Sequence, residues 1–176
     1  PPEFFKENLA NAQKEGMNFQ YSRAYGDLEL VNVAAEFYSE VLGKNLDALN
    51  NICITEGACS ALFCSILGLV NPGEDAVVIE PAYDCYMGQV QMAGGNYIGV
   101  PMIPPKPLNR DELKGRFSAD GEFIYNRETD SFKIDFDLLK SKLTANTKIL
   151  ILNSPHNPTG KVFTQEEYKQ IAEILK

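Results

Sequence analysis

Residues 148–163 read KILILNSPHNPTGKVF, and this stretch decides the fold. The apolar run KILIL is typical of a buried strand, and Thr164 and Glu167 fit the capping box of a helix that starts just after it. Between them lies a loop that contains Asn, Ser, His, Thr, Gly and two prolines. A plain turn needs one or two such residues. The loop therefore predicts more than a change of direction at a strand end.

The rest of the chain repeats this alternation. Asp27 is a plausible N-cap, and the apolar residues behind it recur every three or four positions, as in a helix. Short apolar strands separated by helices indicate a largely parallel sheet. The predicted strands are 51–55, 76–80, 97–103 and 148–152; the predicted helices are 2–15, 28–42, 57–70, 83–93, 135–143 and 165–176. The expected fold class is α/β, a mostly parallel sheet with helices on both faces.

The predicted organisation has two parts. Residues 1–26 form an N-terminal helix and an interface segment that includes the polar link 16–26, and residues 27–176 form the larger domain. Within it, 104–133 is Pro-rich, charged and irregular, so it predicts a surface excursion with a small hairpin around 122–134.

Composition excludes several classes of function. The chain has 176 residues, enough for one domain with a real core, and is 44% hydrophobic and 23% charged. Its net charge of −8 argues against a nucleic-acid or anionic-membrane partner, since both need clustered Lys and Arg. No run approaches the roughly 20 apolar residues of a membrane span.

The cysteines favour neither a metal centre nor a disulfide scaffold. The spacing of the four cysteines fits no paired zinc motif, and His156 is the only histidine. We therefore expect buried thiols in a reducing compartment and no metal. The opening residues lack the basic and apolar pattern of a secretory signal.

Three strand ends carry candidate site residues, because ligands of open α/β sheets gather at the carboxyl ends of strands. At the first, the small residues Ala58 and Cys59 leave backbone N–H groups able to hold a phosphate at a helix start; a tight packing corner is the alternative. At the second, Pro81 ends a strand and brings Tyr83 to the edge, either to stack on a flat heterocycle or to anchor the next helix.

The third strand end is the loop quoted above. Asn153 and Asn157 offer amides that can bond a ring oxygen or a carboxylate, and Pro155 and Pro158 stiffen the backbone that presents them. A phosphate cradle, an aromatic ring and an amide at one edge together predict a pocket for a planar, phosphorylated cofactor.

Four motifs, in this order and spacing, carry a resemblance to a known family: YSRAYGDLEL (21–30), GACSALF (57–63), EPAYDCY (80–86) and HNPTG (156–160). The chain resembles fold type I pyridoxal-phosphate-dependent aminotransferases of class I/II over essentially its whole length. EPAYDCY followed by MAGG makes it most similar to the kynurenine aminotransferase/glutamine transaminase K group. The resemblance covers the N-terminal part and the first half of the large domain.

The resemblance implies roles for particular residues. The backbone N–H groups of Ala58 and Cys59 would hold the phosphate of pyridoxal 5'-phosphate. Tyr83 would stack on the pyridine ring, Asn157 would hydrogen-bond its 3-oxygen, and Asn153 would line the pocket near the substrate carboxylate. Tyr21 matches a tyrosine that reaches the phosphate of the neighbouring subunit in a dimer.

The resemblance also implies three functional side chains that have no match among residues 1–176. The family uses a lysine for the Schiff base, an acidic residue on the pyridine nitrogen and an arginine for the substrate carboxylate. Lys161 and Lys176 do not match the lysine motif, so no catalytic residue is assigned within the chain, and the chain alone is not expected to transaminate.

Two hypotheses follow. In the first, the chain is part of an aminotransferase that transfers an amino group from an amino acid to a 2-oxo acid, completed by further sequence or a complementary polypeptide and acting as a homodimer or larger assembly. In the second, it is a non-catalytic structural or interaction subunit derived from such an enzyme. A third possibility is a nicotinamide-nucleotide domain, but the sequence lacks the glycine fingerprint expected of such a domain. The expected compartment is cytoplasmic or mitochondrial.

Overall fold

The computed structural model describes residues 1–14 and 21–176. These form two compact units, Pro1–Ala61 and Leu62–Lys176. The elements are α1 (Glu3–Lys14), α2 (Leu28–Leu42), α3 (Gly57–Leu69), β1 (Asp75–Glu80), α4 (Cys85–Met92), β2 (Asn96–Pro101), α5 (Arg110–Lys114), α6 (Arg127–Asp130), α7 (Phe136–Lys142), β3 (Thr147–Ile151) and α8 (Gln165–Ile174). No helix in these described ranges has both the length and the apolar character needed to cross a membrane.

The first unit is built around helix α2. The Asp27 carboxylate accepts hydrogen bonds from the N–H groups of Glu29 and Leu30, at 2.9 and 3.3 Å, and so begins the helix as its sequence predicts. Gly43, with φ of 60°, ends it in the left-handed conformation that glycine adopts without strain. The predicted helix 2–15 is present as α1, although its last predicted residue and residues 16–20 of the predicted link lie outside the described residues.

The predicted strand 51–55 is wrong. This segment has no strand conformation, although the N–H of Ile54 donates to the carbonyl of Tyr25 at 3.0 Å. Gly26 permits this close approach, because a Cβ at Gly26 would lie 2.7 Å from Ile54. A single bond of this kind is not a strand ladder, and a short apolar run does not by itself identify a strand partner.

The second unit contains a three-stranded sheet in the order β2-β1-β3, with both pairings parallel. Side chains of β1 alternate between two apolar clusters, as the two-residue period of a strand requires. Val77 and Ile79 belong to the cluster with Leu139 of α7 and Ile171 of α8. Ala76 belongs to the other cluster, with Ile66, Val70 and Val90. Both faces of the sheet are therefore covered by helices, and the predicted α/β class is confirmed.

The excursion 104–133 differs from its prediction in detail. Instead of a hairpin over 122–134, the chain forms the helical turn α6, whose N-cap Asn126 accepts from the N–H of Glu128 at 2.9 Å. Antiparallel contact is confined to isolated bridges, Phe117 with Phe123 and Ile103 with Lys133. The local capping bond outcompetes the strand pairing that the apolar residues suggest.

The predicted burial of the cysteines is also wrong. Cys53, Cys59 and Cys64 are exposed, and Cys85 is half-buried. Apolar sequence around a cysteine does not determine burial, because α3 is apolar around its circumference yet its only fully buried residue is Ile66.

Candidate functional site

The carboxyl ends of β1 and β3 lie side by side in the second unit. The two strands are parallel neighbours, and the last pair of their register joins Val78 to Ile151. Two residues further along, β1 ends at Glu80 and the loop after β3 begins at Asn153. Sheet topology therefore brings the segment that carries Tyr83 and the loop that carries Asn157 to one edge.

Tyr83 lies in the short connection between β1 and α4. Its side chain is half-buried, and its ring meets the buried ring of Tyr86 edge-to-face, with centroids 5.8 Å apart. The backbone carbonyl of Tyr83 accepts from the N–H of Tyr86 at 3.2 Å, which is part of the first turn of the helix. Tyr83 therefore helps to begin α4, and the stacking role of its ring stays a prediction.

The loop after β3, residues 153–164, is held by its own side chains. The Asn153 Oδ1 atom accepts from the N–H of Asn157 at 2.8 Å. The Ser154 hydroxyl accepts from the N–H of Phe163 at 3.3 Å, across the mouth of the loop. Asn153 is half-buried and Asn157 is exposed. One of the two predicted amides thus uses its oxygen to fix the backbone of the other.

His156 is buried inside this loop, with 4% of its surface exposed. Its Nδ1 lies 2.9 Å from the Thr159 hydroxyl, and the ring also forms a hydrogen bond with the backbone of Ile79 in β1. Burial lowers the pKa of His156, the hydrogen bond with Ile79 opposes that shift, and the positive charge of Lys161 adds to it. The imidazole is therefore stabilised in its neutral form.

Lys161 is a second buried titratable group of the loop. Its Nζ pairs with the Glu167 carboxylate at 2.7 Å, and 5% of the Lys161 side chain is exposed. Burial raises the pKa of Glu167, but the hydrogen bonds from Lys161 and from the Thr164 N–H outweigh burial and lower the pKa overall. The Glu167 carboxylate also closes the predicted capping box of α8, with 2.7 Å between Oε2 and the Thr164 N. The Lys161 amine is therefore held in an ion pair inside the loop.

Ala58 and Cys59, the predicted phosphate cradle, lie in the first turn of α3 and belong to the first unit. Both residues are exposed. Gly57 begins the helix with φ of +79°, and the space that a Cβ would occupy there is open. The Thr55 hydroxyl donates to the Gly57 carbonyl at 3.1 Å, which fixes the approach to the helix. The turn therefore combines exposed residues with a helix start, the position at which anions bind helices.

Tyr21 is the remaining predicted site residue. It lies in the first unit and is fully exposed, with a relative accessibility of 102%. Of the six predicted residues, the structure brings Tyr83, Asn153 and Asn157 to one edge of the second unit, whereas Tyr21, Ala58 and Cys59 lie in the first.

Sequence reasoning missed two interactions next to this edge. It assigned His156 no role, although the only histidine of the sequence, placed in a Pro-rich loop next to Asn157, was a signal for a loop-fixing side chain. It also missed the bond from the Tyr97 hydroxyl to the Glu80 carboxylate, 2.9 Å long, at the end of β1. Burial and this bond raise the pKa of Tyr97. A Cβ at Gly99 would fall on the same carboxylate, so glycine gives Glu80 its space on the neighbouring strand.

Comparison with known proteins defines the class to which this fold and edge belong. The sequence matches the family model for aminotransferase class I and II over residues 1–176. The chain therefore belongs to the aminotransferase class I and II family, whose members generally depend on pyridoxal phosphate and act on amino acids and 2-oxo acids. The resemblance inferred from the four motifs is confirmed.

Individual relatives sharpen this assignment. The chain is 38% identical over 178 residues to kynurenine–oxoglutarate transaminase 1 of Rattus norvegicus, covering 100% of this chain and 38% of that protein. It is 35% identical over 175 residues to kynurenine–oxoglutarate transaminase of Dictyostelium discoideum, covering 99% and 38%. The chain thus spans about 38% of the length of these relatives.

Solved structures agree with the sequence comparison. Bna3p from Saccharomyces cerevisiae matches with a TM-score of 0.82 and 34% identity, covering 99% of this chain and 37% of that one. N-succinyldiaminopimelate aminotransferase from Mycobacterium tuberculosis matches with a TM-score of 0.79 and 33% identity, covering 98% and 39%. The fold is that of part of a fold type I aminotransferase, as the sequence predicts.

Proposed function

We propose that the protein is a kynurenine aminotransferase-like enzyme that transfers an amino group from an amino acid to a 2-oxo acid, and that this chain supplies one side of its cofactor pocket. The observation that carries the proposal is the common strand edge of Tyr83 and Asn157, with Asn157 held by the Asn153 side chain at 2.8 Å. The relatives named above support the choice of the kynurenine group.

The donor set of the second unit suits pyridoxal 5'-phosphate. The half-buried Tyr83 ring offers an aromatic face, and the exposed Asn157 amide offers a hydrogen bond to the ring's 3-oxygen. Asn153 is assigned to the substrate carboxylate; because its Oδ1 is bonded to Asn157, its Nδ2 would be the donor. Bound here, the cofactor supplies an electron sink that stabilises negative charge on the substrate carbon.

The donor set of the first unit suits the phosphate. The backbone N–H groups of Ala58 and Cys59 lie in the first turn of α3, where the helix dipole favours an anion. Tyr21 is assigned to the phosphate of a neighbouring subunit in a homodimer or larger assembly, a role for which its full exposure leaves the hydroxyl accessible.

The lysine of the Schiff base, the acid on the pyridine nitrogen and the arginine for the substrate carboxylate are assigned to sequence other than these 176 residues, in the same or a complementary polypeptide. Lys161 is already paired with Glu167. The chain by itself is therefore not expected to transaminate. Its compartment, cytoplasmic or mitochondrial, stays a prediction.

A direct test measures the binding of pyridoxamine 5'-phosphate, which has no aldehyde and so does not bond to surface lysines. In the intact protein, Tyr83→Leu should weaken binding about two- to tenfold, because stacking contributes about 0.5–1.5 kcal/mol beyond the area it buries. Tyr83→Phe keeps the ring and should bind nearly as the native protein does. Tyr125→Leu, at an exposed tyrosine of the excursion, is the control. Native affinity in Tyr83→Leu would contradict the proposal.

Borohydride reduction distinguishes the proposal from the second hypothesis. Reduction of the intact protein with pyridoxal phosphate should leave one lysine adduct outside these residues, and mass spectrometry locates it. An adduct on Lys161 would overturn the assignment of that amine to an ion pair. No site-specific adduct in the complete assembly would favour the non-catalytic interaction subunit, for which the exposed apolar residues of α1, Phe4, Phe5 and Leu9, give some support.

A further inference from the structure

His156 connects the loop after β3 to the neighbouring strand β1. Its imidazole contacts two polar partners, the Thr159 hydroxyl at 2.9 Å and the backbone of Ile79. The ring also packs edge-to-face on Phe163, with centroids 6.2 Å apart. Because the side chain is almost fully buried, these contacts are not shared with solvent. The loop is therefore fastened at this residue to the strand that leads to Tyr83.

The backbone of His156 is tied as firmly as its ring. Its N–H donates to the carbonyl of Lys161 at 2.8 Å, and its carbonyl accepts from the N–H of Gly160 at 2.7 Å. The next residue, Asn157, has its own N–H held by Asn153. The backbone on both sides of the His156–Asn157 peptide is thus fixed, although the Asn157 side chain itself is exposed.

The contacts of the ring suit a neutral imidazole, which has one donor and one acceptor nitrogen. Burial lowers the pKa of His156, and the hydrogen bond with the Ile79 backbone opposes that shift. A neutral ring can accept at Nδ1 from the Thr159 hydroxyl, whose oxygen in turn accepts from the Lys161 N–H at 3.3 Å. The charged groups facing the ring are Lys161 and, through it, Glu167.

We infer that His156 is a positioning residue for Asn157: buried between β1 and the Thr159 hydroxyl, its imidazole sets where the Asn157 amide points relative to the end of β1. This inference rests on the proposed function for the assignment of Asn157 to the cofactor's 3-oxygen. A side chain that only orients the Asn157 amide affects the single hydrogen bond that this amide makes to the ligand, and not the other contacts of the ligand. Its loss should therefore affect selectivity for the 3-oxygen more than overall affinity.

The test compares pyridoxamine 5'-phosphate with its analogue that lacks the 3-hydroxyl. The native protein should prefer the first ligand by about 10-fold or more, the value of one hydrogen bond to a charged group. Asn157→Ala should reduce this preference to near one. His156→Leu should do the same, whereas His156→Gln, whose amide can both donate and accept, should retain most of it. The double variant His156→Leu/Asn157→Ala should match Asn157→Ala alone.

The outcomes separate the inference from the proposed function. A native protein without the preference, or an Asn157→Ala variant that keeps it, would remove the assignment of Asn157 and so contradict the proposed function. A preference that Asn157→Ala loses and His156→Leu keeps would overturn the inference alone. Equal weakening of both ligands by His156→Leu would also overturn it, since that is the result of a merely structural role.

A milder variant covers the case in which His156→Leu does not fold, which circular dichroism checks. Thr159→Val removes the hydroxyl that meets Nδ1 and leaves the ring packed on Phe163. It should lower the preference for the 3-hydroxyl at least two- to threefold. An unchanged preference in a folded Thr159→Val variant would overturn the inference.

Discussion

The loop after β3 and the turn that begins α3 each carry residues proposed to bind a cofactor, yet they are built in opposite ways. The loop, residues 153–164, buries His156 and Lys161 and bonds its own backbone through Asn153 and Ser154. The turn, residues 55–60, has four successive exposed residues, 56–59. A side chain that must point in one direction needs an internally bonded support, whereas a phosphate bound by backbone N–H groups needs access and a helix start.

The largest expected effect comes from breaking the interior of the loop. Lys161→Met leaves the half-buried Glu167 carboxylate without its cation, and removing one partner of a buried pair costs about 3–5 kcal/mol. Urea denaturation of the intact protein should report this loss in the free energy of unfolding.

The control for that variant is Lys176→Met, which removes an exposed pair of similar length, 2.6 Å to Glu173. Exposed pairs contribute little because solvent screens them. Similar destabilisation in both variants would show that burial of Lys161 does not support the loop.

The second effect is on the turn. Ala58→Pro removes one N–H in the first turn of α3, where proline is sterically tolerated. If that N–H binds the phosphate, affinity for pyridoxamine 5'-phosphate should fall about 10-fold, while affinity for unphosphorylated pyridoxamine should not change. Isothermal titration with both ligands measures the difference.

Ala58→Ser keeps the N–H group and should therefore lose much less affinity than Ala58→Pro. Equal losses for the phosphorylated and unphosphorylated ligands would mean that the proline distorts the turn instead of removing a phosphate contact.

The loop and the turn should respond alike to replacement of a glycine by alanine, because each contains a glycine with a left-handed backbone conformation. Gly160 has φ of +70° and Gly57 has φ of +79°, and a Cβ added at either position would meet no other atom within 4 Å. Replacement of either by alanine should cost about 1 kcal/mol of unfolding free energy, from backbone strain alone.

Gly88 provides the matched control for these glycines. It lies within α4, also has open space for a Cβ, and has an ordinary helical conformation. Gly88→Ala should raise the unfolding free energy by about 0.5–1 kcal/mol. A loss at Gly88 as large as that at Gly160 would rule out left-handed strain as the cause.

The contrast between the two regions also explains what the sequence can predict. Asp27 and the pair Thr164 and Glu167 identify the starts of α2 and α8, because a cap is made by residues close together in the sequence. The prediction of a strand at 51–55 failed because strand pairing depends on residues that are far away in the sequence. The same applies to the contact of His156 with Ile79, which joins positions 77 residues apart.

The candidate site follows the same division. The sequence placed Tyr83 and Asn157 after strands, and parallel topology then brings the two strand ends together. It did not reveal that Asn153 bonds Asn157, that Lys161 is buried against Glu167, or that Glu80 meets Tyr97. These are contacts whose geometry the motifs do not contain, and the motif resemblance assigned the candidate residues without them.

The smallest expected effect is a pH dependence that belongs to the loop. The folded pKa of His156 lies below its ordinary value of 6.5, so the unfolded chain binds the proton more tightly. Stability from this group is fully present above about pH 6.5 and is lost as the pH falls below it, toward the folded pKa. Glu167, whose pKa lies below 4.5, loses its contribution to stability only at lower pH. The change in stability between these two pH ranges therefore reports on His156. The difference in unfolding free energy between the native protein and His156→Gln should therefore become less favourable to the native protein from about pH 7 to about pH 5. A difference that stays constant over that range would mean that the buried imidazole does not distinguish its two protonation states, and the loop would then be held by the Lys161 pair and its backbone bonds alone.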